Sequence, residues 1–361
     1  MNRIELLKKI DAVVGRLAVA LLPPSPPVSR LSVCRRILVI RPGGIGDAVL
    51  LVPLLQQLQQ RWPEARIDLL AERRNAAIFK LCPVVDRIHL YDKDGLCKVL
   101  RTRYDLVIDT EQWHRLSAVV ARQVPARVRI GFGSNERRQL FTHAVAYTHQ
   151  RYEVDSFLDL LRPLAIEPPD VLASPFLIVP AAERQRAGEL LQLLAGRPFV
   201  ALFPGASIAE RRWGADRFGE LAARLSNDGW PVVVIGGPDD RPGGDTIIAA
   251  ADGLNLAGQT SLPGSAAIIA RASLLISGDS GMLHVAVGLG RPTVALFGSG
   301  IAAKWAPRGG NHRLLNRELA CSPCTRFGTT PPCPHGVRCL ELITVEDVYQ
   351  AAGNLLAAPG E

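Results

Sequence analysis

The sequence predicts an α/β fold in which two doubly wound parallel sheets face a central cleft. Two strand–turn–helix patterns lead to this prediction. An apolar run at 37–40 precedes a glycine-rich turn, and a second run at 273–277 precedes a polar turn at 278–281. Apolar strands alternate with helical patterns on both sides of a proline-containing connection at 140–180, which is typical of parallel sheets with right-handed crossovers. A length of 361 residues is sufficient for two such domains.

The alternation divides the chain into four segments. They are an N-terminal amphipathic helix with a proline-rich linker at 1–35, a first Rossmann-like domain at 36–180, a second one at 181–343, and a C-terminal helix at 344–361. The predicted strands are 37–40, 66–70, 87–91, 104–109, 127–131, 198–203, 231–235, 274–277 and 292–297. One helix is predicted at 48–61, because apolar residues recur there at helical spacing.

The composition favours a globular protein with anionic partners. Hydrophobic residues make up 48% of the chain and charged residues 21%, which excludes a disordered chain. The net charge of +8 favours nucleotides, phosphorylated glycans or acidic membranes. Aromatic residues are only 6%, and no nucleic-acid-binding motif is visible, so we expect no nucleic-acid partner.

Residues 1–22 form an amphipathic pattern that ends at a run of prolines. The pattern consists of apolar residues at helical spacing with basic residues among them: Ile4, Leu7, Ile10, Val14, Leu17, Lys8, Lys9 and Arg16. One interpretation is a helix lying on an anionic membrane surface. A second interpretation is a helix packed on the body of the protein. Without a small-x-small cleavage site, the segment does not predict an export signal.

The first turn combines three glycines with an acid. Gly43, Gly44 and Gly46 allow the backbone to approach a ligand closely. Asp47 opens the next helix, where it could cap the N-terminus. Its functional alternative is a general base that takes the proton from a sugar hydroxyl.

Polar residues follow several strands at the edge where open sheets bind ligands. Asp47, Ser207, Asp239 and Asp279 all follow predicted strands. Arg211 lies near Ser207, and a guanidinium beside a hydroxyl suits a diphosphate, although a solvated arginine would give the same pattern. The combination predicts group transfer between two bound substrates.

The second turn begins a helix at Asp279, Ser280 and Gly281. Backbone N–H groups at a helix N-terminus favour an anion, whereas Asp279 suits sugar hydroxyls or a capping role. His284 lies one turn further along, where a core histidine is as well supported as a ligand-binding one.

Four cysteines cluster near the C-terminus at Cys321, Cys324, Cys333 and Cys339. Four thiolates suffice for a structural zinc ion, but the second pair is spaced too widely for a typical knuckle. The same spacing is compatible with disulfides or with free thiols.

Together, these stretches resemble glycosyltransferase family 9, the lipopolysaccharide heptosyltransferases. The resemblance runs from about residue 36 to residue 356 and rests on the motifs ILVIRPGGIGDAVLLVPLL, FPGASIAERRWGADRFGELAARL, VIGGPDD, NLAGQTSL and GDSGMLHVAVGLGRPTVALFG. The first 35 residues lie outside the usual pattern.

The resemblance implies a GT-B fold and an inverting, metal-independent transfer of a heptose from an ADP-sugar, without a cofactor. The acceptor would be a lipid-linked core glycan at the cytoplasmic face of the inner membrane. Asp47 would be the catalytic base and Asp279 would contact the donor sugar. Ser207 and Arg211 would bind the donor phosphates, and Asp239 the nucleoside. A nucleotide-sugar epimerase and a non-catalytic nucleotide- or glycan-binding module are the alternative functions.

Overall fold

The computed structural model describes residues 9–26, 28, 31–326 and 328–357. The chain forms two compact units, divided between Ala173 and Ser174. This division lies a few residues before the domain boundary expected after residue 180. Each unit is built around one six-stranded parallel sheet, so the α/β prediction is confirmed.

The sheet of the first unit has the strand order β3-β2-β1-β4-β5-β6. Its strands are β1 (Arg36–Arg41), β2 (Arg66–Ala71), β3 (Arg87–Leu90), β4 (Tyr104–Asp109), β5 (Ala126–Phe132) and β6 (His143–Val145). In β1 all four apolar residues at 37–40 are buried, because helices cover both faces of a parallel sheet. Ile37 pairs with Ile67 on one side and with Leu106 on the other. The strand order therefore reverses between β1 and β4.

The sequence patterns predicted two helices of the first unit as one and missed a third. The helices of this unit are α1 (Arg16–Leu21), α2 (Ile45–Leu50), α3 (Val52–Arg61), α4 (Lys93–Arg101), α5 (Arg115–Gln123) and α6 (Glu153–Asp159). The single helix predicted at 48–61 is wrong, since Pro53 lies in the first turn of α3, where it needs no hydrogen-bond donor. Helix α4 was not predicted. Asp92 caps it by accepting a hydrogen bond from the Gly95 amide at 3.0 Å.

The second unit repeats the same topology. Its strands are β7 (Val200–Phe203), β8 (Val232–Val234), β9 (Gly253–Asn255), β10 (Leu274–Gly278), β11 (Thr293–Phe297) and β12 (His312–Asn316), in the order β12-β11-β10-β7-β8-β9. Counted from β7, this is the order of the first sheet, and it reverses between β7 and β10. Open sheets bind ligands at such reversal points.

Helices pack on the second sheet and complete its core. They are α7 (Ala181–Leu190), α8 (Ala215–Asn227), α9 (Arg241–Ile248), α10 (Leu262–Ile269), α11 (Gly281–Gly288), α12 (Ala302–Trp305), α13 (Arg338–Glu341) and α14 (Val345–Leu356). Trp213, Phe218 and Val348 lie in one buried cluster. Thr344 and Asp347 form a capping box that starts α14. The last four residues of the expected C-terminal helix lie outside the described residues.

The described part of the N-terminal segment packs on the first unit. A π-helical turn at Asp11–Gly15 leads into α1, and Val19 is buried in the core of that unit. One side of residues 9–22 therefore packs on the body of the first unit, and contact of the segment with a membrane surface stays a prediction. Residues 1–8 lie outside the described part. No helix among the described residues has the length and apolar character needed to cross a membrane.

Candidate functional site

The turn after β1 places Asp47 beside a buried arginine. Gly43 has a φ of +116°, and a Cβ there would lie 2.7 Å from Arg41 Nη2, so glycine is required. Gly44 borders open space, because a Cβ there would have no described atom within 4 Å beyond its chain neighbours. Gly44 is the N-cap residue of α2, and Gly46 lies in its first turn. The open space at Gly44 leaves room for a ligand.

Asp47 occupies the third position of α2 rather than the N-cap, and α2 has no side-chain cap. The capping interpretation of Asp47 is therefore wrong. Its carboxylate lies 3.5 Å from Arg41 Nη2 and is 22% exposed. Asp47 is thus held by a cation on one side while remaining accessible to solvent.

Arg41 is buried at the end of β1 and links that strand to the segment after β4. Its Nη1 donates to the Thr110 carbonyl at 2.8 Å, and its Nη2 lies 3.7 Å from Glu111. The guanidinium also lies over the Phe157 ring, 5.7 Å from its centroid. The Arg41 guanidinium therefore connects the ends of β1 and β4, the two strands between which the order of the first sheet reverses.

Two further acids complete this cluster. Glu111 is buried, which raises its pKa, but Arg41 and His114 lower it more, so the net pKa lies below the ordinary value. Glu153 is also buried, and burial together with the Asp47 charge raises its pKa to about 8. Glu111 is therefore ionised near neutral pH and Glu153 is protonated.

The protonated Glu153 has polar partners on both carboxyl oxygens. It accepts a hydrogen bond from Gln112 Nε2 at 2.5 Å and one from the Tyr147 hydroxyl at 3.2 Å. A neutral acid behind Asp47 avoids a third negative charge around a single arginine. Asp47 is the member of the three that reaches solvent.

Sequence reasoning missed Arg41, Glu111 and Glu153. A signal existed for the first two. Arg41 ends a fully apolar strand, and Glu111 follows β4 at the same edge of the sheet. Glu153 had no signal, because α6 reaches Asp47 only through tertiary packing.

In the second unit, Arg211 and Asp279 meet across the reversal point. Arg211 Nη1 lies 2.9 Å from Asp279 Oδ2, and both side chains are largely buried. Glycines make this contact possible. A Cβ on Gly278 would lie 2.7 Å from the Arg211 carbonyl, and one on Gly300 would lie 2.1 Å from Asp279 Oδ2. The structure therefore brings together two of the residues that the sequence singled out.

Arg211 retains hydrogen-bonding capacity for a ligand. Its Nη2 lies 3.5 Å from the Thr325 hydroxyl. Its Nε is buried and has no hydrogen-bond partner among the residues that the structure describes. Because a guanidinium carries five N–H donors, the contact with Asp279 leaves donors for an anion.

The turn after β10 starts α11. Ser280 is the N-cap and accepts a hydrogen bond from the Leu283 amide at 3.3 Å, and Gly281 is the first helical residue. Ser280 also contacts Ser277 at 2.8 Å. Capping is therefore performed by Ser280, not by Asp279. His284 is buried within α11, as the core interpretation requires.

The loops after β7 and β8 present Ser207 and Asp239 at the surface. Arg212 braces the first loop by donating to the Ala206 carbonyl at 3.0 and 2.8 Å. Asp240, which the sequence did not single out, accepts a hydrogen bond from the Gly237 amide at 2.9 Å. A Cβ on Gly205 would lie 2.5 Å from Asp240, so this acid contacts both loops.

The four C-terminal cysteines lie around one cavity. Cys321, Cys324, Cys333 and Cys339 line a volume of about 130 Å³ together with His335. All four are free thiols. Within the described ranges, no three His, Cys, Asp or Glu side chains are arranged to hold a metal ion. The structure thus describes four free thiols around this cavity, and the zinc and disulfide interpretations stay predictions.

Comparison with known proteins identifies the family. The model of glycosyltransferase family 9 (heptosyltransferase) matches residues 95–333, more than half of the chain. The chain is 29% identical over 337 residues to lipopolysaccharide heptosyltransferase 3 of Escherichia coli K12, covering 86% of this chain and 95% of that protein. It is 29% identical over 287 residues to lipopolysaccharide heptosyltransferase 2 of the same strain, covering 73% and 82%.

A solved structure supports the same assignment. The structure of E. coli ADP-heptose lps heptosyltransferase II superposes with a TM-score of 0.72 at 26% identity, covering 89% of this chain and 98% of that chain. Two parallel-sheet units with this topology agree with that likeness, and the polar residues lie at the reversal point of each sheet. The chain therefore belongs to glycosyltransferase family 9, and the protein is a glycosyltransferase.

Proposed function

We propose that the protein transfers a heptose from ADP-heptose to a lipopolysaccharide core acceptor, with inversion at the anomeric carbon and without a metal ion or other cofactor. The relatives named as lipopolysaccharide heptosyltransferases support this donor and acceptor. The observation that carries the proposal is the cluster around Asp47. One carboxylate reaches solvent there, while a buried arginine and two buried acids surround it.

Asp47 acts as the general base in this proposal. An acceptor hydroxyl bound at the open space beside Gly44 transfers its proton to the Asp47 carboxylate as its oxygen attacks the anomeric carbon. A positioned carboxylate contributes about 10²–10⁴ in rate. Arg41 holds Asp47 in place, and the proton on Glu153 keeps a further negative charge away from it. The C–O bond to the diphosphate breaks on the opposite face of the sugar, so the configuration inverts.

The second unit holds the donor. Arg211 places its remaining N–H groups on the diphosphate, and the N-terminus of α11 at Ser280 and Gly281 adds backbone donors. Negative charge grows on the diphosphate as the bond breaks, so these donors stabilise the transition state more than the bound donor. This is how we expect the reaction to proceed without a metal.

Asp279 accepts hydrogen bonds from the donor sugar while its other contact orients Arg211. Ser207 contacts a donor phosphate and Asp239 the nucleoside, each from its surface loop. His284, one turn further along α11, belongs to the same donor-binding set in this proposal. The reaction takes place at the cytoplasmic face of the inner membrane, where a lipid-linked acceptor is presented.

An acceptor-omission assay tests this function. Purified protein is incubated with ADP-heptose, with and without a heptose-deficient lipopolysaccharide acceptor, and ADP release and glycosylated product are measured. We expect both only when the acceptor is present, with UDP- and GDP-sugars inactive and with the rate unchanged by EDTA. The configuration of the new bond, read by NMR, should be opposite to that of the donor.

The alternative functions give different results in the same assay. Conversion of the sugar nucleotide without an acceptor would indicate an epimerase. Thermal stabilisation by ADP-heptose without any turnover would indicate a binding module, and either result would overturn the proposal.

A further inference from the structure

Residues 9–22 are anchored firmly to the first unit along one side. The Asp11 carboxylate accepts hydrogen bonds from the backbone amides of Arg115 and Leu116 at 2.8 and 2.7 Å. These amides begin α5, so Asp11 satisfies donors that the helix cannot pair itself. A Cβ on Gly15 would lie 2.9 Å from Arg115 Cβ, and Val19 is buried in the core. The orientation of this helical segment is therefore fixed.

The opposite side of the same segment exposes an apolar stripe. Its members are spaced by three and four residues, so they share one face. They are Ile10 (37% exposed), Val13 (63%), Val14 (50%), Leu17 (61%) and Leu21 (84%). Packing on the body does not explain these five side chains, because the anchoring residues lie on the other side. A contiguous exposed apolar patch marks a surface for a partner or a membrane.

The charges around the stripe select an anionic partner. Within residues 9–22 the charged side chains are Lys9, Asp11 and Arg16. Asp11 is buried and lies 3.4 Å from His114, so its charge does not face outward. Lys9 and Arg16 are exposed. Arg16 contacts Glu136 in a surface ion pair at 3.1 Å. The outward side of the segment is therefore apolar, with two exposed basic side chains along it, of which Arg16 is paired with Glu136. An apolar face bordered by basic side chains is typical of interfacial helices.

The segment is also tied to the neighbourhood of Asp47. The Glu111 carboxylate accepts hydrogen bonds from the amides of Trp113 and His114 at 3.1 and 3.3 Å. Its second oxygen faces Arg41, which holds Asp47. The amides that Asp11 binds, those of Arg115 and Leu116, thus follow Glu111 in the chain by only a few residues. Lipid contact by residues 9–22 would bring a lipid-linked acceptor toward Asp47. This link between docking and catalysis rests on the proposed function.

We propose that the apolar stripe of residues 10–21 docks on an anionic lipid bilayer, with its axis parallel to the surface. The five apolar side chains enter the headgroup–acyl boundary, and Lys9 and Arg16 contact anionic headgroups. The first unit is thereby held with its N-terminal segment against the membrane. The apolar stripe and the basic side chains beside it are the basis for this docking, whichever sugar the protein transfers.

Vesicle flotation with the full chain tests the docking. Vesicles of phosphatidylcholine containing about one third phosphatidylglycerol are compared with pure phosphatidylcholine, because anionic lipids attract basic interfacial helices. We expect binding to the anionic vesicles only. The Leu17→Asp/Leu21→Asp variant should bind at least about tenfold more weakly, since charges on the apolar face prevent insertion.

The matched control is Val171→Asp/Leu193→Asp, which changes two similarly exposed apolar residues elsewhere (83% and 80% exposed). This control should bind as the unchanged protein does. Thermal unfolding of both variants should match that of the unchanged protein, because all four side chains are exposed.

Three results would overturn the docking. They are failure of the unchanged protein to bind anionic vesicles, equal binding by the Leu17→Asp/Leu21→Asp variant, and a size-exclusion shift showing that the variant instead dissociates a dimer. Transfer to a detergent-free, delipidated oligosaccharide acceptor separates docking from catalysis. The variant should keep full activity on that acceptor, whereas failure of the proposed function would abolish transfer by the unchanged protein as well.

Discussion

Replacing Glu153 with glutamine is expected to remove a pH dependence from the folding stability. Glu153 is buried on α6, and burial together with the Asp47 charge raises its pKa from 4.5 to about 8. Glutamine has the same shape as the protonated acid. Its amide can keep the contacts with Gln112 and Tyr147, but it cannot ionise.

The sign and size of the effect follow from proton linkage. Between pH 4.5 and about 8 the folded chain keeps a proton on Glu153 that the unfolded chain releases. The stabilising contribution of the protonated acid is therefore complete below pH 4.5 and is lost as the pH rises through about 8. Its loss reaches at most about 1.4 kcal/mol per pH unit, or about 3 kcal/mol between pH 5.5 and pH 7.5.

Urea unfolding at a series of pH values measures this difference. We expect Glu153→Gln to gain stability relative to the unchanged protein as the pH rises, by one to three kcal/mol over about two pH units. The control is Glu167→Gln, whose side chain is 78% exposed and which should show no pH-dependent difference. A Glu153→Gln curve parallel to that of the unchanged protein would refute a buried, protonated Glu153.

Two further substitutions test the packing of the first unit. Arg41→Met should lower the unfolding free energy by about 3–5 kcal/mol, because it leaves the buried Glu111 without its cation. Arg73→Met, at an exposed ion pair, should change it by less than about 1 kcal/mol in the same urea titration. Gly131→Ala should lower the thermal midpoint, because its Cβ would lie 2.3 Å from the Phe141 ring and overpacking costs about 1–3 kcal/mol. An unchanged midpoint in that variant would contradict the described packing of β5.

The interior strands were predictable because burial on both faces gives continuous apolar runs. The run at 37–40 became β1 with all four side chains buried. The edge strands β6, β9 and β12 were missed. They are short, and their side chains are only partly buried or exposed, so their sequences lack this signal.

The candidate site was predictable where residues follow strand ends. Asp47 and Asp279 were singled out because each follows an apolar strand near the start of a helix, and their roles stay predictions. The contact of Asp279 with Arg211 brings together loops after two different strands, and topology rather than spacing creates it. Glu153 could not be predicted for the same reason, since its carboxyl lies near Asp47 only after α6 packs against α2 and α3.

The base role of Asp47 is tested most directly by the turnover number of Asp47→Asn with ADP-heptose and a lipopolysaccharide acceptor. We expect turnover to fall by at least ~10²-fold, while thermal stabilisation by ADP-heptose stays as in the unchanged protein. Glu64→Gln, at an exposed acid of the same unit, should retain full turnover. Near-normal turnover by Asp47→Asn would contradict the account.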